Sequence, residues 1–257
     1  MREPPHHHDR RSAWINRLHT LTNYCLTVTN FAPHGALYCL MNFKTRIKAG
    51  SVSNLTDARY FAALEVDWIG FNFERGHADF IDPVQAKAMI EWLEGPRFVG
   101  EFGSHTAEEV AMAIQNLDLD EIQLSPITDA AIGNGQPVPV LREIVVDRDT
   151  TELDLSEYVA RAGSNVEAFV LDFSRNGIAW SALRDDTLRI PMHFLQTFCN
   201  RQRVIVDLPI LPQEVDEMLE LLMPYGLQVK GGAEEKVGYK SYEELDDLFE
   251  VLQVVRD

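Results

Sequence analysis

The sequence predicts a single (βα)8 barrel with a parallel eight-stranded core. From Phe43 onward, short β-branched or aromatic runs alternate with amphipathic stretches, the pattern of βαβ units feeding a parallel sheet. The strand candidates number eight, enough to close a sheet on itself. The length, 257 residues, is one at which α/β barrels commonly form a single unit.

The strand candidates are Thr45–Ala49, Trp68–Phe73, Phe98–Phe102, Glu121–Leu124, Val140–Val146, Ala168–Asp172, Arg203–Asp207 and Leu227–Lys230. Helical stretches fall between them at Leu55–Leu64, Pro83–Leu93, Thr106–Leu117, Leu155–Ala162, Pro212–Met223 and Tyr242–Val254, with a further short helix at Pro191–Asn200. Several begin with recognisable caps. Ser53-Asn54 precedes the first, and Asp82-Pro83 supplies an N-cap followed by proline at the first helical position. Thr106 with Glu109 fits a capping box, in which each side chain satisfies the other residue's backbone N–H. Met89, Met112, Met218 and Met223 sit at helical positions and read as core filler. His105 and His193 read as surface residues.

Composition narrows the partners. The formal charge of −17 argues against nucleic acid or an anionic membrane, which require clustered cations. No apolar run approaches the ~18 residues of a membrane span. The three cysteines, Cys25, Cys39 and Cys199, form no disulfide framework and suggest a reducing cytoplasm. Residues 1–40 lack any helical or strand period and read as a disordered extension or an upstream start, with the barrel occupying 41–257. The run His6, His7, His8 lacks the converging ligands that a metal site needs.

Residues 44–86, KTRIKAGSVSNLTDARYFAALEVDWIGFNFERGHADFIDPVQA, resemble the opening of the phosphoribosylanthranilate isomerase family, a tryptophan-pathway (βα)8 barrel. The family pattern runs K-[IV]-C-G-[IM]-T-x-x-x-D-A, then G-A-D-x-[IV]-G-F-x-F, then S-x-R-x-[VI]-x-P-x-x-A. Lys48, Asp57, Ala58, Asp67, Gly70, Phe71, Phe73, Pro83 and Ala86 match it. Further on, Gln123 and Leu124 match the fourth strand, with Ser125 where the family usually has histidine. Asp172 and Trp180 match the sixth-strand region across a shortened glycine-rich loop. Pro212 and Val215 match after the seventh strand, and Val229, Gly232, Glu234, Gly238 and Lys240 at the end.

The resemblance implies an Amadori rearrangement of an aminoaldose phosphate, without a cofactor, at the C-terminal ends of the strands. It places the general acid on Asp172. It places the catalytic cysteine on Gly50, which has no side chain to take a proton. Neighbouring Ser51 has the only hydroxyl there, and an unactivated serine is a poor base. The arginine that holds the anthranilate carboxylate falls on Asp79, and the eighth-strand aspartate on Gln228. Leu208-Pro209 occupies the first Gly-Gly of the phosphate cup, where proline has no N–H to give. Gly231-Gly232, preceded by Lys230, occupies the second. Asp79 and Asp207, with Glu74, Glu101 and His77 near the rim, suggest an acidic mouth that repels a doubly anionic substrate.

The candidate site is therefore Asp172 as acid, with Asp79, Gln123, Asp207, Gln228, Lys230, Gly231 and Gly232 facing a small ligand; a phosphorylated metabolite is one candidate. His77, Asp79, Asp172 and Asp207 as a divalent-metal site is the weaker reading, since no tight ligand motif supports it. Three functions stay open: a diverged barrel binding a different small ligand with altered or absent catalysis, a genuine isomerase with a rearranged acid–base pair, and a non-catalytic interaction module. The fold alone does not choose among them.

Overall fold

The computed structural model describes residues 43–163, 165–232, 234–236 and 239–254. The chain divides after Leu40, and the unit Met41–Asp257 is the barrel. The expectations for residues 1–40, including Cys25, Cys39 and the histidine run, lie outside the described residues.

Eight strands close in chain order into a parallel barrel. They are β1 (Arg46–Gly50), β2 (Trp68–Asn72), β3 (Arg97–Phe102), β4 (Glu121–Leu124), β5 (Val140–Val145), β6 (Val166–Asp172), β7 (Val204–Asp207) and β8 (Gly226–Lys230). Closure is made by β1 against β8, in the register Lys48↔Gln228 and Gly50↔Lys230. The helices are α1 (Leu55–Ala63), α2 (Pro83–Ile90), α3 (Ala107–Leu117), α4 (Ala130–Asn134), α5 (Glu152–Arg161), α6 (Trp180–Arg184), α7 (Met192–Arg201), α8 (Val215–Leu222) and α9 (Glu243–Leu252). A short antiparallel pair, β9 (Glu234–Lys236) and β10 (Tyr239–Lys240), lies between β8 and α9.

The expected caps form. The Asn54 side chain accepts from the Asp57 N–H, Asp82 accepts from Val84 with Pro83 behind it, and Thr106 and Glu109 make the reciprocal capping box. Each satisfies a backbone donor that the first helical turn leaves without a partner. Two short helices, α4 and α6, and the β9–β10 pair were not expected, being too short to show a period. Two methionines depart from the core reading. Met89 and Met218 are buried, but Met112 and Met223 are more than half exposed. Met112 falls on the outer face of α3, and Met223 lies past the end of α8 in the left-handed region, with φ +46°.

The barrel interior is layered. At the N-terminal end Trp68, Val99, Leu141, Ala168, Val170 and Ile205 form a separate apolar cluster. Below it Arg97 lies over the Trp68 ring, and Arg46 and Arg203 flank the Tyr225 ring. Above it the inward positions turn polar: Lys48, Glu101, Gln123, Glu143, Asp172, Asp207 and Gln228 are all buried. Strand register gathers them, with Asp172 beside Asp207, Asp207 beside Gln228, Gln228 beside Lys48, and Glu101 beside Gln123. Polar residues at these positions cost desolvation unless they pair with each other or with a ligand.

Candidate functional site

The polar layer splits into two linked groups. On the β7–β8–β1 side, Lys48 reaches Glu101 Oε1 at 2.5 Å and Gln228 Oε1 at 2.7 Å. Gln228 Nε2 donates to Asp207 Oδ2 at 2.6 Å. Lys230 Nζ lies 3.3 Å from the same Oδ2, and Ser174 Oγ donates to Oδ1 of Asp207. Burial pushes the Glu101 carboxyl up, but Lys48 and Ser51 outweigh it and hold it below the usual range. Burial pulls Lys230 down, and Asp207, Asp172 and Glu101 more than compensate, so its ammonium is held on.

These contacts correct the picture of an acidic mouth. Glu101 and Asp207 are buried, and each has a cation against it. Only Asp79, 46 % exposed, stands at the rim as expected, with its side chain 3.9 Å from His77. Glu74 is engaged too. It accepts from the Ser104 N–H and lies 3.5 Å from His105. His105 is therefore half-buried against Phe102 and Glu74, not a free surface residue. Among the described residues no cluster of His, Cys, Asp and Glu converges as a metal site would.

The space beside Gly50, where the resemblance puts the catalytic cysteine, is filled. A Cβ built on Gly50 would lie 2.7 Å from Gln228 Cδ, closer than real side chains pack. Gly50 and Gln228 are thus complementary: the longer side chain on β8 takes the space that the glycine leaves on β1. Next to it Ser51 holds φ +50°, where the resemblance has glycine. Its amide and its Oγ both donate to Glu101, which fixes a conformation that costs L-residues ~1–2 kcal/mol. Glu101, held ionised by Lys48, is a weak base for that hydroxyl.

On the β4–β5–β6 side lies Asp172, where the resemblance puts the general acid. Asp172 ends β6, is buried, accepts from the Arg175 N–H at 2.9 Å and pairs with Arg175 Nε at 3.1 Å. Arg175 also binds Glu143 from β5. Glu143 was not expected as a site residue. Burial chiefly raises its pKa to about 7, with Asp172 and Glu101 raising it and Arg175 and Lys48 lowering it. The alternation of VLREIV could have revealed it, since one of Arg142 and Glu143 must face inward. Gln123, on β4, is buried with its Oε1 lacking a hydrogen-bond donor among the described residues.

The Gly231-Gly232 turn is tightly packed. A Cβ at Gly231 would lie 2.3 Å from the Asp57 carboxylate, and one at Gly232 2.4 Å from the Ser241 carbonyl. Asp57 also accepts from Tyr242 Oη and Asn54 Nδ2. Across from this turn, Leu208 is buried and the Pro209 carbonyl accepts from the Trp180 N–H. A cavity of about 190 Å³ lies between the loop after β7, strand β8 and α9, lined by Leu208, Pro209, Ile210, Val229 and Leu245, with Asp207 and Lys230 as charged members of its wall.

Comparison with known proteins places this architecture. Residues 47–251 match the family model described as N-(5'phosphoribosyl)anthranilate (PRA) isomerase. An N-(5'-phosphoribosyl)anthranilate isomerase of Caldanaerobacter subterraneus subsp. tengcongensis is 26 % identical over 213 residues, covering 82 % of this chain and 98 % of the relative. One from Herminiimonas arsenicoxydans is 27 % identical over 224 residues, covering 83 % and 95 %. The crystal structure of phosphoribosyl anthranilate isomerase from Thermus thermophilus superposes with a TM-score of 0.64 at 27 % identity, covering 81 % of this chain and 98 % of that one.

Proposed function

This chain belongs to the phosphoribosylanthranilate isomerase family, and we propose that its barrel binds a small ligand other than phosphoribosylanthranilate, with the family's acid–base catalysis altered or absent. The observation that carries this reading is the filled seat at Gly50, where a Cβ would lie 2.7 Å from Gln228. No proton acceptor occupies that position, and a positioned acid or base typically supplies 10²–10⁴-fold. Asp79 adds a carboxylate where the family holds a carboxylate of its substrate. In this reading Asp172, Gln123, Asp207, Gln228 and Lys230 line the ligand, the Gly231-Gly232 turn borders it, and Asp79 stands at the entrance. The formal charge of −17 keeps nucleic acid and anionic membranes from being its partners, and its setting is the cytoplasm.

A second reading, a genuine isomerase with a rearranged acid–base pair, is favoured by two observations. Asp172 occupies the acid position, and Glu143 is a second buried carboxyl bound to the same arginine. A steady-state assay with phosphoribosylanthranilate, together with rescue of a tryptophan auxotroph lacking the isomerase, separates the two. Negligible turnover and no rescue by soluble protein support the first reading. A kcat/KM of about 10⁴–10⁸ M⁻¹s⁻¹ overturns it in favour of the second.

A further inference from the structure

The cavity beside the β7 loop includes Leu208-Pro209, where the resemblance puts one half of the phosphate cup, and its chemistry is unsuited to a phosphate. Most of its wall is apolar, from Leu208, Pro209 and Ile210 on one loop to Val229 on β8 and Leu245 and Leu248 on α9. The polar side chains in the wall are Ser174, Asp207, Gln228 and Lys230. Three of these are donors, and all three are turned onto the fourth. Ser174 Oγ donates to Asp207 Oδ1, while Gln228 Nε2 and Lys230 Nζ lie 2.6 and 3.3 Å from Oδ2. Asp207 thus holds the donors that a phosphate would need, and its charge already balances that of Lys230, the one cation among the described residues of the wall. Pro209 has no N–H to contribute.

We propose that this cavity seats a compact, uncharged apolar group of the ligand, a small ring or branched aliphatic unit, and that Asp207 bars phosphate from it. The volume suits such a group, because an apolar cavity of about 150 Å³ already takes benzene and this one measures about 190 Å³. Ligands of this barrel are then non-phosphorylated at that end. The inference rests on the reading that the mouth binds something other than phosphoribosylanthranilate, and extends it to a ligand class.

The test uses the full chain and two probes, benzyl alcohol and inorganic phosphate, each followed by ligand-observed NMR and thermal shift. Benzyl alcohol binds the wild type, and Leu245→Phe, which fills the cavity from α9, weakens that binding at least tenfold. Inorganic phosphate does not bind the wild type at millimolar concentration. Asp207→Asn, which removes the charge and releases Lys230 and Ser174, gains phosphate binding by at least tenfold. Should Asp207→Asn fail to fold, the two wild-type measurements and Leu245→Phe still decide. Phosphate binding the wild type, benzyl alcohol failing to bind, or benzyl alcohol binding Leu245→Phe equally well each overturns the proposal. Turnover of phosphoribosylanthranilate without phosphate binding in this cavity would instead overturn the functional reading alone.

Discussion

Two sectors of one barrel mouth have been finished differently. On the β7–β8–β1 side, Lys48, Glu101, Gln228, Asp207, Ser174 and Lys230 form a chain in which donors meet acceptors and charges meet counter-charges. On the β4–β5–β6 side, Gln123 Oε1 has no donor among the described residues and Glu143 is a carboxyl that burial pushes up to about 7. A closed network contributes rigidity and has little left to offer a ligand. The open sector holds the groups whose protonation or hydrogen bonding a ligand could change. Gly50, where the resemblance puts the base, lies in the sector that has closed, while Asp172, where it puts the acid, lies at the border of the open one.

The difference is first a difference in what breaks each side. Lys48→Met leaves Glu101 buried without its cation and takes a donor from Gln228. Removing one partner of a buried pair costs about 3–5 kcal/mol, and urea denaturation at neutral pH reads it. Adding Glu101→Leu should recover much of the loss, because then no charge is left uncompensated. A loss under 1 kcal/mol for Lys48→Met would mean that the pair is solvated and the sector is not closed.

The open side breaks with pH. Glu143 is raised from 4.5 to about 7 in the folded chain, so between those values the folded state keeps a proton that the unfolded state has released. Stability contributed by the protonated carboxyl is present below pH 4.5 and lost as pH rises through about 7. The charged groups acting on it are Asp172 and Arg175 from the β6 side, Glu101 from β3 and Lys48 from β1. Glu143→Gln cannot titrate, so its stability relative to wild type should climb across this window and level off above it. At ~1.4 kcal/mol per unit the full span is on the order of 3 kcal/mol. A difference that stays flat from pH 4 to 8 would show that Glu143 titrates as an ordinary surface carboxyl.

The packing of Gly50 against Gln228 sharpens the contrast further. Gly50→Cys forces a side chain to within 2.7 Å of Gln228 Cδ, and overpacking of this kind costs roughly 1–3 kcal/mol. Gln228→Asp shortens the neighbour, so the double variant should be more stable than the sum of the singles predicts. The coupling is measurable by a double-mutant cycle, in which contacting residues commonly show ~0.5–3 kcal/mol. Additive losses would mean that the two positions do not share the space.

Much of this architecture was legible in the sequence, for identifiable reasons. Strands such as Trp68–Asn72 and Val204–Asp207 announced themselves because buried parallel strands are short, nearly continuous apolar runs. Caps such as Asp82-Pro83 and Thr106 with Glu109 were readable because they are local chemistry. Segments with no period to show, α4, α6 and the β9–β10 pair, were not. In the site, Asp172 and the loss of side chain at Gly50 followed from the resemblance. What did not follow was pairing. Asp207 and Glu101 read as rim anions because the cations that neutralise them, Lys230 and Lys48, lie on other strands and meet them only when the barrel closes. Glu143 escaped notice because no family position drew attention to it, although its alternation with Arg142 marked one of the two as inward.

Arg175 offers the finest division between the sectors. Its guanidinium is 47 % exposed while joining Glu143 to Asp172, and half-exposed ion pairs are worth only ~0–1 kcal/mol. Arg175→Met should therefore change the melting temperature at pH 6 by only a few degrees, at ~2–4 °C per kcal/mol for a domain of this size. Its effect on titration should be plainer. Arg175 lowers the Glu143 pKa, so without it the carboxylate form is less favoured and the break in the stability–pH curve moves above about 7. Lys230→Met supplies the control, because Lys230 is committed to Asp207 in the other sector and should leave that break in place. If both substitutions shift the break equally, the mouth titrates as one connected network and the division into a closed and an open side fails. If only Arg175→Met shifts it, proton exchange in this barrel belongs to the β5–β6 side, where Asp172 and Glu143 share one arginine.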